Sequence, residues 1–194
     1  MSQKHKSDVH HDLNRSDILR RTVLLCNSFA RNLAYYRVGQ EPDFVNLLTQ
    51  DHSYMPFFRQ INSNFLDMAV IEWYKLIGDK KSKYHWEVIL NDGISFKEQL
   101  YKLPELNSFT YNQYIIKMKD YRDKFVAHLD YCRKIDIPYL EAAHASIRLY
   151  HREIVEIHAA ELDLTNLCDT SEKFALGYQQ SQDEARKLLS CYVS

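Results

Sequence analysis

Glycine and proline are scarce in this chain, with four of each among 194 residues, well below the ~7% and ~5% of average usage. So few breakers leave little room for the closely spaced turns of a sandwich or barrel. The same scarcity argues against collagen and a long disordered linker. What remains is a chain of long helices. Hydrophobic residues are 45% and charged residues 26%, the balance of a globular protein with enough apolar side chains for a core. At this length one domain is expected.

The apolar spacing agrees. Residues 1–15 are polar and are expected to form a flexible tail. Ser16 then fits an N-cap, and Ile18, Leu19, Thr22, Cys26, Phe29, Leu33 and Tyr36 follow at helical spacing up to a stop at Gly39. A short helical turn is predicted at Asp43–Leu48. A second long helix is predicted over 57–77, with Phe58, Ile61, Phe65, Met68, Trp73 and Leu76 on its apolar side and Gly78-Asp79 at its end. Short helices are predicted near Trp86–Leu90 and Ser95–Tyr101. A third long helix runs from about Thr110 to His128. A fourth has Pro138 in its first turn and ends near Glu161. A fifth begins near Ser171 and places Phe174, Tyr178, Ala185, Leu188 and Tyr192 on one side. No run alternates with period two. The expectation is therefore an all-α bundle of four to five long helices with short accessory helices, a single domain over 16–194.

Several functions drop out. The 25 basic and 26 acidic residues leave a formal charge of −1, which does not suit a protein that coats nucleic acid along its length. No apolar window suits a membrane span, and the N-terminus lacks the apolar core of a secretory signal. A reducing cytoplasm is expected. Cys26, Cys132, Cys168 and Cys191 are scattered without a CxxC pair, so neither a zinc site nor a disulfide framework is indicated. There is no glycine-rich phosphate loop and no serine elbow. No cofactor and no metal ion is expected.

One helix carries chemistry. Residues 111–134 read YNQYIIKMKDYRDKFVAHLDYCRK. With Phe125 as the inward centre, Arg122 and His128 fall ~60° to either side of it, near Ile115, Met118 and Leu129. An arginine beside an apolar stripe needs a partner, because its charge is costly to desolvate. Two readings stand. In one, Arg122 bridges to a carboxylate of another helix and His128 is a satisfied core histidine. In the other, the pair serves an anion, with Arg122 offering a planar fork to phosphate and His128 a proton acceptor or donor near neutral pH. Between Lys117 and Lys134 six basic residues stand against three acids, a local positive patch on a nearly neutral protein.

Arg122-Asp123-Lys124-Phe125-Val126-Ala127-His128 resembles the Arg-x(4–6)-His motif of the HEPN superfamily. The polar Asp123 after the arginine, the Ala-His ending and Asp130 close behind resemble the abortive-infection subgroup. The stretch Phe65–Asp79 is similar to the preceding helix of that subgroup. The resemblance covers roughly 16–161. It implies a HEPN-like bundle that dimerises so that two motifs face one cleft, and a metal-independent endoribonuclease of toxin or anti-phage type. His128 would be general acid or base, Arg122 would stabilise the transition state, and Asp123 would orient one of them. In a straight helix Arg122 and His128 diverge by ~120°, so Arg122 of one copy would work near His128 of the other. RNA would be the substrate, and a cognate antitoxin protein a further partner. Other members of the superfamily only bind RNA or protein, which is the alternative. In the nucleotidyltransferase-paired branch a modified tyrosine lies two residues after the histidine; here that position is Asp130, and Tyr131 follows.

Lys119 and Lys124 are candidate RNA contacts, against the plainer reading of a solvated helix face. Tyr114 and Tyr121 lie on the His128 side and are candidates to stack on bases, against core packing. His144, His151 and His158 recur every seven residues. Successive members are ~10.5 Å apart along a helix, too far to share a metal ion. HREIVEIH also departs from the HExxH pattern.

Overall fold

The computed structural model describes residues 14–50, 55–104, 106–127, 137–158 and 171–191. Among them every regular element is helical: α1 (Arg15–Val38), α2 (Pro42–Gln50), α3 (Met55–Trp73), α4 (Trp86–Ile89), α5 (Gly93–Leu100), α6 (Tyr111–Tyr121), α7 (Leu140–Ile157) and α8 (Ser171–Cys191). Helices α3 and α6 each run on into a π-helical segment, Tyr74–Gly78 and Arg122–Ala127 respectively. The all-α expectation holds, with five long helices and three short ones among the described residues.

Helix α1 is the centre, packed on α3, α7 and α8. Its buried side is the one its spacing predicts, with Leu19, Thr22, Cys26, Phe29 and Leu33 sealed from solvent. Each such apolar side chain contributes roughly 1.5–3 kcal/mol through burial. The N-cap, however, is Asn14 and not Ser16. The Asn14 side chain accepts from the Asp17 N–H at 2.8 Å, and its carbonyl receives the Ile18 N–H. The helix thus starts inside the stretch assigned to the tail. Gly39 ends α1 in right-handed backbone, φ −65°. Its value is close approach, because a Cβ there would lie 2.3 Å from Asn62 Oδ1 on α3.

Helix α3 buries Leu66, Ala69, Val70 and Trp73, whereas Met68, expected inward, is 45% exposed. Trp73 satisfies its indole N–H on Ser146 Oγ at 2.9 Å, and that hydroxyl donates to the Ala143 carbonyl. Phe58, Ile61 and Phe65 instead wall an apolar groove of about 340 Å³ with Leu188 and Leu189 of α8. Leu188, also expected inward, is therefore more than half exposed. Pro138 lies ahead of α7 rather than in its first turn. Across the bundle, Trp86, Phe96 and Tyr150 form a chain of ring contacts, so the short helices α4 and α5 complete the same core.

Two members of the histidine row meet α8. His144 stacks on Tyr178 of α8 at 4.5 Å. Burial, with Arg37 and Arg148 nearby, lowers its pKa to about 4. His151 is fully buried against Phe174, and His158 is buried as well. Among the described residues no cluster of His, Cys, Asp or Glu could hold a metal ion. Cys26 is buried and Cys191 exposed; Cys132, Cys168 and Tyr192 lie outside the described residues. No described helix is long and apolar enough to cross a membrane.

Candidate functional site

Helix α6 is positioned by its tyrosines. Tyr111, Tyr114, Met118 and Tyr121 recur at helical spacing and are all buried. Tyr114 meets Trp73 edge-on at 5.3 Å and donates its hydroxyl to the Tyr139 carbonyl at 2.7 Å. Tyr121 donates to Asp67 Oδ1 of α3 at 2.9 Å. Burial holds both phenols well above the usual tyrosine range, and for Tyr121 the bond to Asp67 adds to it. Neither ring lies open for a base to stack on. Both have the packing role that stood as the plainer reading, and they anchor the helix that carries the motif.

At the end of α6 the backbone widens into its π-helical segment, beginning at Arg122. The Arg122 guanidinium lies over the Tyr74 ring, 4.0 Å from its centroid, within cation–π range. Asp123 grips one edge, accepting from Nε at 2.8 Å and from Nη2 at 2.6 Å. Lys119, one turn earlier, reaches the other oxygen of Asp123 at 2.5 Å. The bond from Lys119, joined by Arg122, holds the Asp123 carboxyl below the usual range, and the same bond raises Lys119. Lys124 turns away to Asp120 at 3.6 Å.

The structure therefore unites Arg122, Asp123 and Lys119, and leaves Lys124 on an exposed i,i+4 pair. The three united side chains carry two positive charges and one negative. The acid beside Arg122 is its own neighbour, not a carboxylate of another helix as the structural reading required. Arg122 keeps 29% of its side-chain surface exposed. Its Nη1 makes no hydrogen bond among the described residues. His128, Leu129, Asp130 and Tyr131 lie outside the described residues, as does the side chain of Phe125.

Sequence spacing missed Tyr74. It lies inside the stretch similar to the preceding family helix, yet nothing local to it points at an arginine 48 positions later. Only the packing of α6 on the end of α3 places it there. Comparisons with protein-family models, with curated proteins and with solved structures found no match for this chain.

Proposed function

We propose that this protein is a HEPN-like, metal-independent endoribonuclease of toxin or abortive-infection type, acting in the cytoplasm as a homodimer on RNA. In the reaction, the RNA 2′-oxygen bonds to the adjacent phosphorus and the bond from phosphorus to the 5′-oxygen breaks. The 2′-hydroxyl proton passes to a base and a proton is delivered to the leaving 5′-oxygen. The products are a 2′,3′-cyclic phosphate and a 5′-hydroxyl. His128 is the general acid or base of this step. Arg122 neutralises charge gathering on the non-bridging oxygens, and Asp123 orients Arg122. A cognate antitoxin would be the natural restraint on such an activity.

The observation that carries this reading is the state of the Arg122 guanidinium. It is gripped on one edge by Asp123, supported on a face by Tyr74, and open at Nη1. An arginine serving only as internal glue would spend its fork on the protein. One held this way presents two N–H groups to a phosphate.

The test is RNA cleavage by wild type and His128→Ala in EDTA, on single-stranded and structured RNAs, with product ends analysed. Cleavage by wild type that leaves cyclic phosphate and vanishes in the folded variant is the expected result. RNA binding without cleavage by either protein would replace the enzyme with a non-catalytic RNA-binding module. Neither binding nor cleavage by the folded wild type would refute both.

A further inference from the structure

We infer that Tyr74 is a positioning residue for Arg122, its ring fixing the guanidinium so that the open Nη1 edge meets a phosphate oxygen. This rests on Arg122 being the anion-binding group of the proposed site.

Three features of the chain converge on the position of that ring. The first is the contact itself. The guanidinium carbon is 4.0 Å from the ring centroid, well inside the ~6 Å limit for this attraction. Tyr74 is also buried to 8% exposure, so its ring is held in place by the surrounding core while Arg122 keeps part of its surface in solvent.

The second is the backbone. Tyr74 and Arg122 each open a π-helical segment. In the first, the Asp79 N–H donates to the Tyr74 carbonyl at 2.7 Å, an i→i+5 bond. Such segments are rare and recur at functional sites. Here two of them meet through their first residues.

The third is Gly78. A Cβ at this position would lie 2.7 Å from Tyr74 Cδ2 and 2.9 Å from Cε2. A side chain there would force the ring or the backbone at 78 to shift. The absent side chain at 78 is thus part of the same arrangement.

The constraints on Arg122 are complementary. Asp123 fixes an edge of the guanidinium plane through Nε and Nη2. The Tyr74 ring fixes a face. With an edge and a face held, the direction of Nη1 is set before any ligand arrives. An anion then binds without first ordering a long side chain, which is what preorganisation saves. A tyrosine acting only as core filler would have no need of a cation over its ring.

The experiment follows the Nε–H signal of Arg122 in protein labelled with ¹⁵N-arginine, assigned by its loss in Arg122→Lys. Wild type, Tyr74→Phe and Tyr74→Leu are compared, first alone, then with inorganic phosphate, then with a single-stranded RNA oligonucleotide. The phenyl ring of Tyr74→Phe keeps the aromatic face, so the Arg122 signal should stay near its wild-type position and still respond to phosphate. In Tyr74→Leu the ring-current shift should disappear. Phosphate and RNA affinity should also fall by up to about tenfold, the cost of ordering one long side chain on binding. Should Tyr74→Leu not fold, Gly78→Ala displaces the ring without removing it and should move the same signal.

An Arg122 signal indifferent to loss or displacement of the ring would overturn the inference. So would a signal that moves while phosphate affinity stays at the wild-type value. The ribonuclease reading fails separately: a wild type that binds phosphate through Arg122, with Tyr74→Leu weaker, yet never cleaves RNA would refute the enzyme and leave the role of Tyr74 supported.

Discussion

Replacing His151 by leucine probes the buried histidine row. His151 is fully buried on α7, its ring 4.6 Å from that of Phe174. Neither ring nitrogen has a hydrogen-bond partner among the described residues. Burial lowers its pKa from 6.5 to about 4. The native protein therefore holds a neutral imidazole through a range in which the unfolded chain takes up a proton. Stability linked to this group is fully present above pH 6.5, falls as the pH drops, and levels off below about pH 4. From pH 7 to pH 5 the unfolded imidazole becomes almost wholly protonated while the native one stays neutral. At roughly 1.4 kcal/mol per unit, that removes about 2 kcal/mol of stability. Leucine cannot titrate, and it strands no polar atoms, each of which costs ~1–3 kcal/mol when buried and unpaired. Urea unfolding of both proteins at pH 7 and pH 5 measures the effect. The stability of His151→Leu relative to wild type should improve by about 2 kcal/mol on going to pH 5. Taking the difference at each pH removes the share of other titrating groups, His144 included. Equal losses in the two proteins would refute the argument, because His151 would then have the same affinity for protons folded and unfolded.

Two further outcomes follow from single positions. Gly177 lies within α8, and a Cβ there meets nothing within 4 Å. Gly177→Ala should therefore raise stability by ~0.5–1 kcal/mol through backbone entropy, read as a higher denaturation midpoint. Asp123→Asn removes the one negative charge among Lys119, Asp123 and Arg122. Asparagine keeps the oxygen that accepts from Arg122, so the guanidinium stays oriented, single-stranded RNA should bind the variant more tightly, and the salt dependence should steepen by roughly one phosphate contact. An unchanged slope in a salt titration would place the RNA elsewhere.

The legibility of the fold differs by element. Helix α1 could be read almost completely, because it lies at the centre and its apolar stripe is fully used. Helix α3 could be read in part. Its pattern names apolar positions, but Met68 faces out and Phe58, Ile61 and Phe65 wall a groove. Periodicity says which residues share a face, not which neighbour covers it. The caps moved for a similar reason: Asn14 and Ser16 are both good capping residues, and backbone geometry selected Asn14. The candidate site divides the same way. Lys119, Arg122 and Asp123 are near in sequence and meet as neighbours on one helix. For Tyr114 and Tyr121 spacing favours packing over stacking, and the contacts with Trp73 and Asp67 put them inside.

By itself the sequence determined the helical class, the rough extent of five long helices and the local positive patch, because these depend on breaker content, period and neighbouring charge. Only the tertiary structure decided what Arg122 rests on. Its platform, Tyr74, and the glycine that makes room for that ring come from a distant helix. Contacts between separate helices depend on how whole faces pack, which no window of a single sequence contains.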